Sequence, residues 1–361
     1  CLHYPGFVAG SEDDGYRNTS GTFTLGGNPT ENLELGFVAR YTDARKEFDG
    51  ADFSPGGTGL PADDASRSDT EDGYLRGGGT LRLFEGRWTQ RLNATWTTTD
   101  TDTVDGFGTA STTAADKLGL YYQSTVNLAG DPARGLGHAL TAAIDQEWTD
   151  FRQRGEGQSP FDPDQDQDLR STCLVAEYLL RPVEPLVVTL AARHDDYDAF
   201  EDVTTFRAAA GWTFAGPGTR LRAGYATGQK VPTFTERFGF YPTLFIGNPD
   251  LEPETSKSWE IGIDQPLADG RVALTATYFR ATLDDEIDGI ANCDENFVCT
   301  AINLDGESRR RGIETGLTAN PTANVRLAAS YTYTESRQPD AFTGAQVREV
   351  RRPRHTGSAL V

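Results

Sequence analysis

The chain has 361 residues, 37 % of them hydrophobic, and a formal charge of −21 from 33 Lys and Arg against 54 Asp and Glu. That acidity argues against general nucleic-acid binding, which relies on cations to displace counterions, and leaves cationic ligands, divalent metals or plain solubility. No apolar run approaches the ~20 residues of a membrane-spanning helix, and a chain with no Met that opens on Cys1-Leu2-His3 reads as a piece cut from a longer protein.

From Tyr16 onward one rhythm repeats: an alternating apolar–polar segment, a short turn, a second such segment and, as a rule, a long polar loop. Alternation with period two is the mark of strands whose faces meet different surroundings. The paired segments are 16–28 with 33–42, 72–84 with 88–99, 116–128 with 137–151, 169–181 with 186–197, 202–215 with 218–227, 255–266 with 271–282, and 307–319 with 324–335. A last segment starts near Pro353. The sequence therefore predicts about fourteen strands and part of a fifteenth, no helix, and no linker that splits the chain.

The connections sort by length. Tight turns rich in Gly, Pro, Asn and Asp lie on one side. Long loops over 43–71, 100–115, 152–168, 228–254, 283–306 and 336–352 lie on the other, with 198–201 the short exception. The faces sort as well: Leu221, Ala223 and Tyr225 alternate with Arg220, Arg222 and Gly224, and Val325, Leu327, Ala329, Tyr331 and Tyr333 alternate with Arg326, Ser330, Thr332 and Thr334. A soluble sandwich has no reason to divide its connections this way. Strands of ~10 residues, short turns at one end and long loops at the other describe an all-β, antiparallel transmembrane barrel, with lipid on the apolar face and a wet lumen on the polar one.

The stretch 224–263 breaks the rhythm. Pro232, Pro242, Pro249 and Pro253 favour turns or extended backbone, and Phe234, Phe240, Tyr241 and Phe245 crowd the loop between two strands. These four aromatics either contact a ligand or pack the loop.

Motifs of enzymatic chemistry are missing. The histidines are His3, His138, His194 and His355, and none has a metal-ligand spacing partner. No GxSxG, phosphate-cradling loop or HExxH occurs. His194-Asp195-Asp196 reads as a polar strand end, so no enzyme is expected. Of the cysteines, Cys173 sits in a strand as a small packed side chain, while Cys293 and Cys299 enclose a polar loop. A local disulfide in an oxidising compartment suits that pair better than a metal site, because no His lies near. The acidic loop holding Asp63, Asp64, Asp69 and Asp72 is either a solvated surface or a partial set of calcium oxygens, and the run 162–168 is a weaker version of it.

Gly224-Tyr225-Ala226-Thr227-Gly228-Gln229-Lys230-Val231-Pro232, Phe238-Gly239 and Gly247-Asn248-Pro249-Asp250-Leu251-Glu252-Pro253-Glu254 resemble, in order, the barrel signature of TonB-dependent outer-membrane receptors. Asn303 followed by Arg311-Gly312-Ile313-Glu314, and Arg351-Arg352-Pro353-Arg354-His355, are similar to two further strand-start patterns of that family. The resemblance implies a barrel of about 22 strands plugged by an N-terminal domain, of which residues 1–361 form one partial barrel domain. The plug, the TonB box and about seven strands at the two ends would lie outside it. It also implies a multi-pass protein of the bacterial outer membrane, in contact with its lipid, which binds a scarce ligand and imports it through TonB. The Glu12–Asn18 region, Thr70–Tyr74 and the compact 238–253 loop resemble the cobalamin (vitamin B12) branch. There, carboxylates such as Asp69 and Asp72, helped by Asp63 or Asp64, would bind calcium. Cobalamin is therefore the expected cargo; a ferric-siderophore receptor, which shares the main signature, is the alternative, and a passive porin-like channel is the alternative of another kind.

Overall fold

The computed structural model describes residues 14–51, 61–62, 64–106, 110–155, 164–239, 245–295, 298–322 and 324–361. In chain order the elements are β1 (Tyr16–Thr30), β2 (Leu33–Glu47), β3 (Gly50–Ala51), β4 (Pro61–Ala62), β5 (Arg67–Leu83), β6 (Trp88–Val104), β7 (Ala110–Gly130), β8 (Gly137–Gly155), β9 (Gln165–Val183), β10 (Leu186–Tyr197), β11 (Val203–Thr213) and β12 (Arg220–Lys230). There follow α1 (Phe234–Phe238), β13 (Phe245–Ile246), β14 (Glu254–Leu267), β15 (Val272–Asp284), β16 (Ile287–Cys293), β17 (Cys299–Asn303), β18 (Ser308–Thr322), β19 (Val325–Pro339), β20 (Gln346–Arg348) and β21 (His355–Leu360).

One antiparallel sheet of sixteen strands carries the chain. Its order is β1-β2-β5-β6-β7-β8-β9-β10-β11-β12-β14-β15-β18-β19, with β20 and β21 both pairing β19. Each long strand lies beside its sequence neighbour, so the sheet is a continuous up-and-down meander, as a barrel wall requires. All fifteen predicted strands are present.

Two expectations need correction. The strands run farther into the long connections than the alternation alone suggested: β2 reaches Glu47 and β5 begins at Arg67, while β6, β8 and β9 reach Val104, Gly155 and back to Gln165. The added rungs are polar, with Asp69 opposite Arg45, and Thr70 beside Thr101 at 3.2 Å. Cross-strand polar pairs sustain a ladder where no apolar face does. The second correction is the helix. Thr233 caps α1, accepting from the Glu236 amide at 3.2 Å, while the Glu236 carboxylate accepts from the Thr233 amide at 2.7 Å. That reciprocal capping box starts one helical turn immediately after Pro232, and Gly239 (φ 84°) ends it.

The two faces of the wall differ as expected. Ile261, Phe206 and Leu25 are 57 %, 55 % and 61 % exposed, and Leu221, Ile263, Leu274 and Ile313 line the same outward side. An apolar surface of this extent is untenable in water and is what lipid covers. The inward side is a polar lattice. Arg193 grips Asp195 at 2.6 and 2.8 Å, Lys117 pairs with Glu147 at 2.7 Å, and Arg222 lies 3.5 Å from Glu260 and 3.4 Å from Asp264. Among the described residues no helix is long and apolar enough to cross a membrane; the crossing elements are strands.

Candidate ligand site at the mouth of the lumen

The long connections collect at one end of the wall, and two of them fold into a single unit there. The strand β13 adds to β17 in parallel, Phe245 facing Cys299, and β17 pairs β16 antiparallel. The side chain of Asn303 accepts from the Glu252 amide at 2.9 Å and donates to the carbonyls of Glu252 (2.9 Å) and Asp285 (2.8 Å). Asn248 donates to the Ala301 carbonyl at 3.0 Å, and its amide donates to the Glu236 carbonyl at 2.9 Å. Glu254 accepts from Lys230 at 2.9 Å and from the Ile287 amide at 3.0 Å. Beneath this clasp Leu251, Ala301 and Leu304 are buried. Gly247 is a packing necessity, because a Cβ there would run into the backbone of Phe238 and Gly239.

The clasp presses α1 against the lumen wall. Phe234 stacks on Phe151 of β8, ring centroids 5.2 Å apart and nearly parallel, and on Phe238 at 6.5 Å. Gln165 donates to the Gly239 carbonyl at 3.1 Å. The Arg237 guanidinium lies over the rings of Phe200 (4.6 Å) and Phe238 (4.8 Å), and burial holds its pKa below the ordinary arginine value, with Asp198 opposing that shift. Farther down, a cleft of about 340 Å³ is lined by Arg207, Gly224, Ser258, Glu260 and Phe279.

A second polar cluster ties the clasp to the end of the chain. Arg310 donates to Glu286 at 2.6 Å and to Glu349 at 2.9 Å, and Ser336 and Arg352 also donate to Glu349. Burial by itself raises the Glu349 carboxyl, but these hydrogen bonds hold it below the usual carboxylate range.

The predicted site residues fare unequally. Phe234 packs on the wall, and Phe245 opens β13; Phe240 and Tyr241 lie outside the described residues. Cys293 and Cys299 form a disulfide across the β16–β17 hairpin. Among the described residues Asp64, Asp69 and Asp72 are not grouped as a set of metal ligands. Asp69 lies in β5, held by Arg45 at 2.5 and 3.1 Å and with Arg67 3.7 Å away. Asp72 accepts from Thr99 at 2.8 Å, and residues three apart on a strand face opposite sides. Asp64 accepts from the Ser66 amide at 2.7 Å, while Asp63 lies outside the described residues. Among the described residues no three His, Cys, Asp or Glu side chains are grouped to hold a metal ion. His194 and Asp195 point to opposite faces of β10: His194 meets Thr204 at 2.9 Å and Asp195 meets Arg193. Sequence reasoning passed over Arg237, although it is the one cation inside the aromatic segment FTERFGF.

Residues 6–361 match the family model described as "TonB dependent receptor-like, beta-barrel". The chain belongs to the TonB-dependent receptor β-barrel family. Among solved structures, the siderophore receptor PirA from Acinetobacter baumannii superposes with a TM-score of 0.73 at 16 % identity, over 96 % of this chain and 56 % of that one. The alcaligin outer-membrane receptor FauA from Bordetella pertussis gives 0.67 at 15 %, over 95 % and 56 %. The copper transporter OprC gives 0.72 at 14 %, over 90 % and 54 %. At such identities the likeness is one of fold. The chain spans little more than half the length of these relatives. The family is one of receptors and transporters, and TonB-dependent receptor barrels are proteins of the outer membrane.

Proposed function

We propose that this chain is the greater part of the barrel of an energised outer-membrane uptake receptor, completed by further strands, a plug and a TonB-contacting segment in the whole protein. The match to the barrel family over residues 6–361 carries that reading. An apolar outer face, a charged lumen and folded loops at one end fit it. The cargo class favoured is a ferric siderophore, in keeping with the siderophore receptors among the similar structures. Cobalamin is the second reading. It draws on the Thr70–Tyr74 and 238–253 resemblances, but the calcium set it implies loses support, because Arg45 already occupies Asp69 and Asp72 faces the other way.

Equilibrium binding of ferric siderophores and of cyanocobalamin to the full-length receptor, with and without calcium, tests the reading. Iron-chelate binding indifferent to calcium is the expected result. Cyanocobalamin binding that appears only with calcium would restore the second reading.

A further inference from the structure

Among the described residues, the buried side-chain polar atoms without a hydrogen-bond partner are Gln165 Oε1, Gln229 Oε1, Arg237 Nε, Glu286 Oε2 and Ser308 Oγ. The first three belong to one contiguous cluster beneath and beside α1. Gln229 donates to the Tyr197 hydroxyl at 3.4 Å. The Tyr197 ring meets Phe200 edge-on at 5.9 Å, and Phe200 underlies Arg237. Gln165 reaches the Gly239 carbonyl, two residues beyond Arg237. An unmade buried hydrogen bond costs about 1–3 kcal/mol, and more at a charged group. Such groups in a native protein call for an occupant or a task.

Among the described residues no carboxylate lies within ion-pair distance of Arg237, although Asp198 is near enough to act on its charge. Glu236 accepts from the Thr233 amide and lies 4.0 Å from Lys230. Asp198 accepts from the Arg170 amide at 3.1 Å. A planar cation that stays charged under all ordinary conditions is thus seated on an aromatic shelf, unpaired among the described residues, where the long loops meet the lumen. The clasp of Asn248 and Asn303 holds it in place.

We propose that Arg237 reads an anionic oxygen group of the cargo, its guanidinium pairing with a catecholate- or carboxylate-type ferric chelate over the shelf of Phe200 and Phe238. Gln165 and Gln229 pack behind the shelf, where Gln165 holds the Gly239 carbonyl and Gln229 the Tyr197 hydroxyl, and they help to position Arg237. The proposal rests on the uptake-receptor reading above and names the chemistry of its cargo. Charge-assisted, fork-shaped hydrogen bonds are the strong ones, and the rings add attraction to the cation they face.

The test uses the full-length receptor and four probes: a ferric tris-catecholate, ferric citrate, an uncharged ferric trihydroxamate and cyanocobalamin. Wild type is expected to bind an anionic chelate, and Arg237→Gln to weaken that binding roughly ten- to a hundredfold while flattening its salt dependence. Arg237→Lys should fall between them, because an ammonium keeps the charge but loses the fork and the ring stacking. If Arg237→Gln fails to assemble, Arg237→Lys and Phe200→Leu supply the same comparison, a loss selective for the anionic probes. Equal binding of anionic chelates by wild type and variants overturns the role of Arg237 and leaves the receptor reading intact. Wild-type binding of only the uncharged chelate or cyanocobalamin does the same. Binding of none of the four overturns both.

Discussion

The loop side of this barrel holds two long connections that fold differently. The acidic stretch from Asp63 to Asp72 has the composition of a metal-binding loop, yet most of it continues β5, with Arg45 and Asp69 as one rung. The aromatic, Pro-rich stretch from Val231 to Pro253 breaks the strand rhythm, yet it carries a capped helix, a strand and a hydrogen-bonded clasp to 285–304. The difference lies in the spacing. Charges that alternate with period two and meet opposite charges across the ladder extend a sheet. Pro, Gly and Asn at irregular spacing break the ladder and supply turns, caps and side chains that satisfy backbone groups.

Substitutions in the full-length receptor, followed by amide exchange, sharpen that contrast. Gly247→Val should have the largest effect, because its side chain would occupy the space of the Phe238 and Gly239 backbone. We expect loss of about 3 kcal/mol or more of local stability, seen as exchange and proteolysis across 231–253 while β5 stays protected. Next is Glu349→Gln, which leaves Arg352 and Ser336 without their carboxylate partner and should cost roughly 3 kcal/mol around 286 and 349. The same group predicts a pH dependence. The folded Glu349 carboxyl is depressed, so its stabilisation is fully present above the ordinary glutamate value and is lost as pH falls through the depressed one. Protection near Arg310 should fade in that acidic range and persist at neutral pH.

Asn303→Ala removes two hydrogen bonds to Glu252 across the loops and one to Asp285 within its own loop and should cost about 2 kcal/mol. The readout is simultaneous loss of protection at Glu252 and Asp285; loss at only one of them would show that the loops do not move together. Reducing Cys293–Cys299 opens one hairpin tip and should loosen β16–β17 by about 2 kcal/mol without releasing α1. Last is Arg45→Ala, an exposed ion pair. Exposed pairs contribute little, so no change in protection outside β2 and β5 is expected, with or without calcium.

Much of the wall was legible because alternation is written directly into strands such as Leu221–Ala223–Tyr225, and because loop lengths alternate along the chain. Strand ends were not legible beyond the membrane-facing part, since a rung such as Thr70–Thr101 carries no apolar signal. The helix was hidden by its brevity: one turn offers no 3.6-residue period, and its only clue was the spacing of Thr233 and Glu236. The aromatics stood out as a group, but the partners of Phe234 and Arg237 are Phe151 and Phe200, distant in sequence and brought near only by the sheet. Asn303 showed in the family pattern, while its role as a bridge between two loops emerges only from the fold.

Uptake of radioactive iron, presented as an anionic chelate to cells making the full-length receptor, tests the central claim most directly when measured with and without TonB. Uptake that requires both the receptor and TonB is the expected result. Uptake that proceeds equally in cells lacking TonB, as through a passive channel, would contradict it.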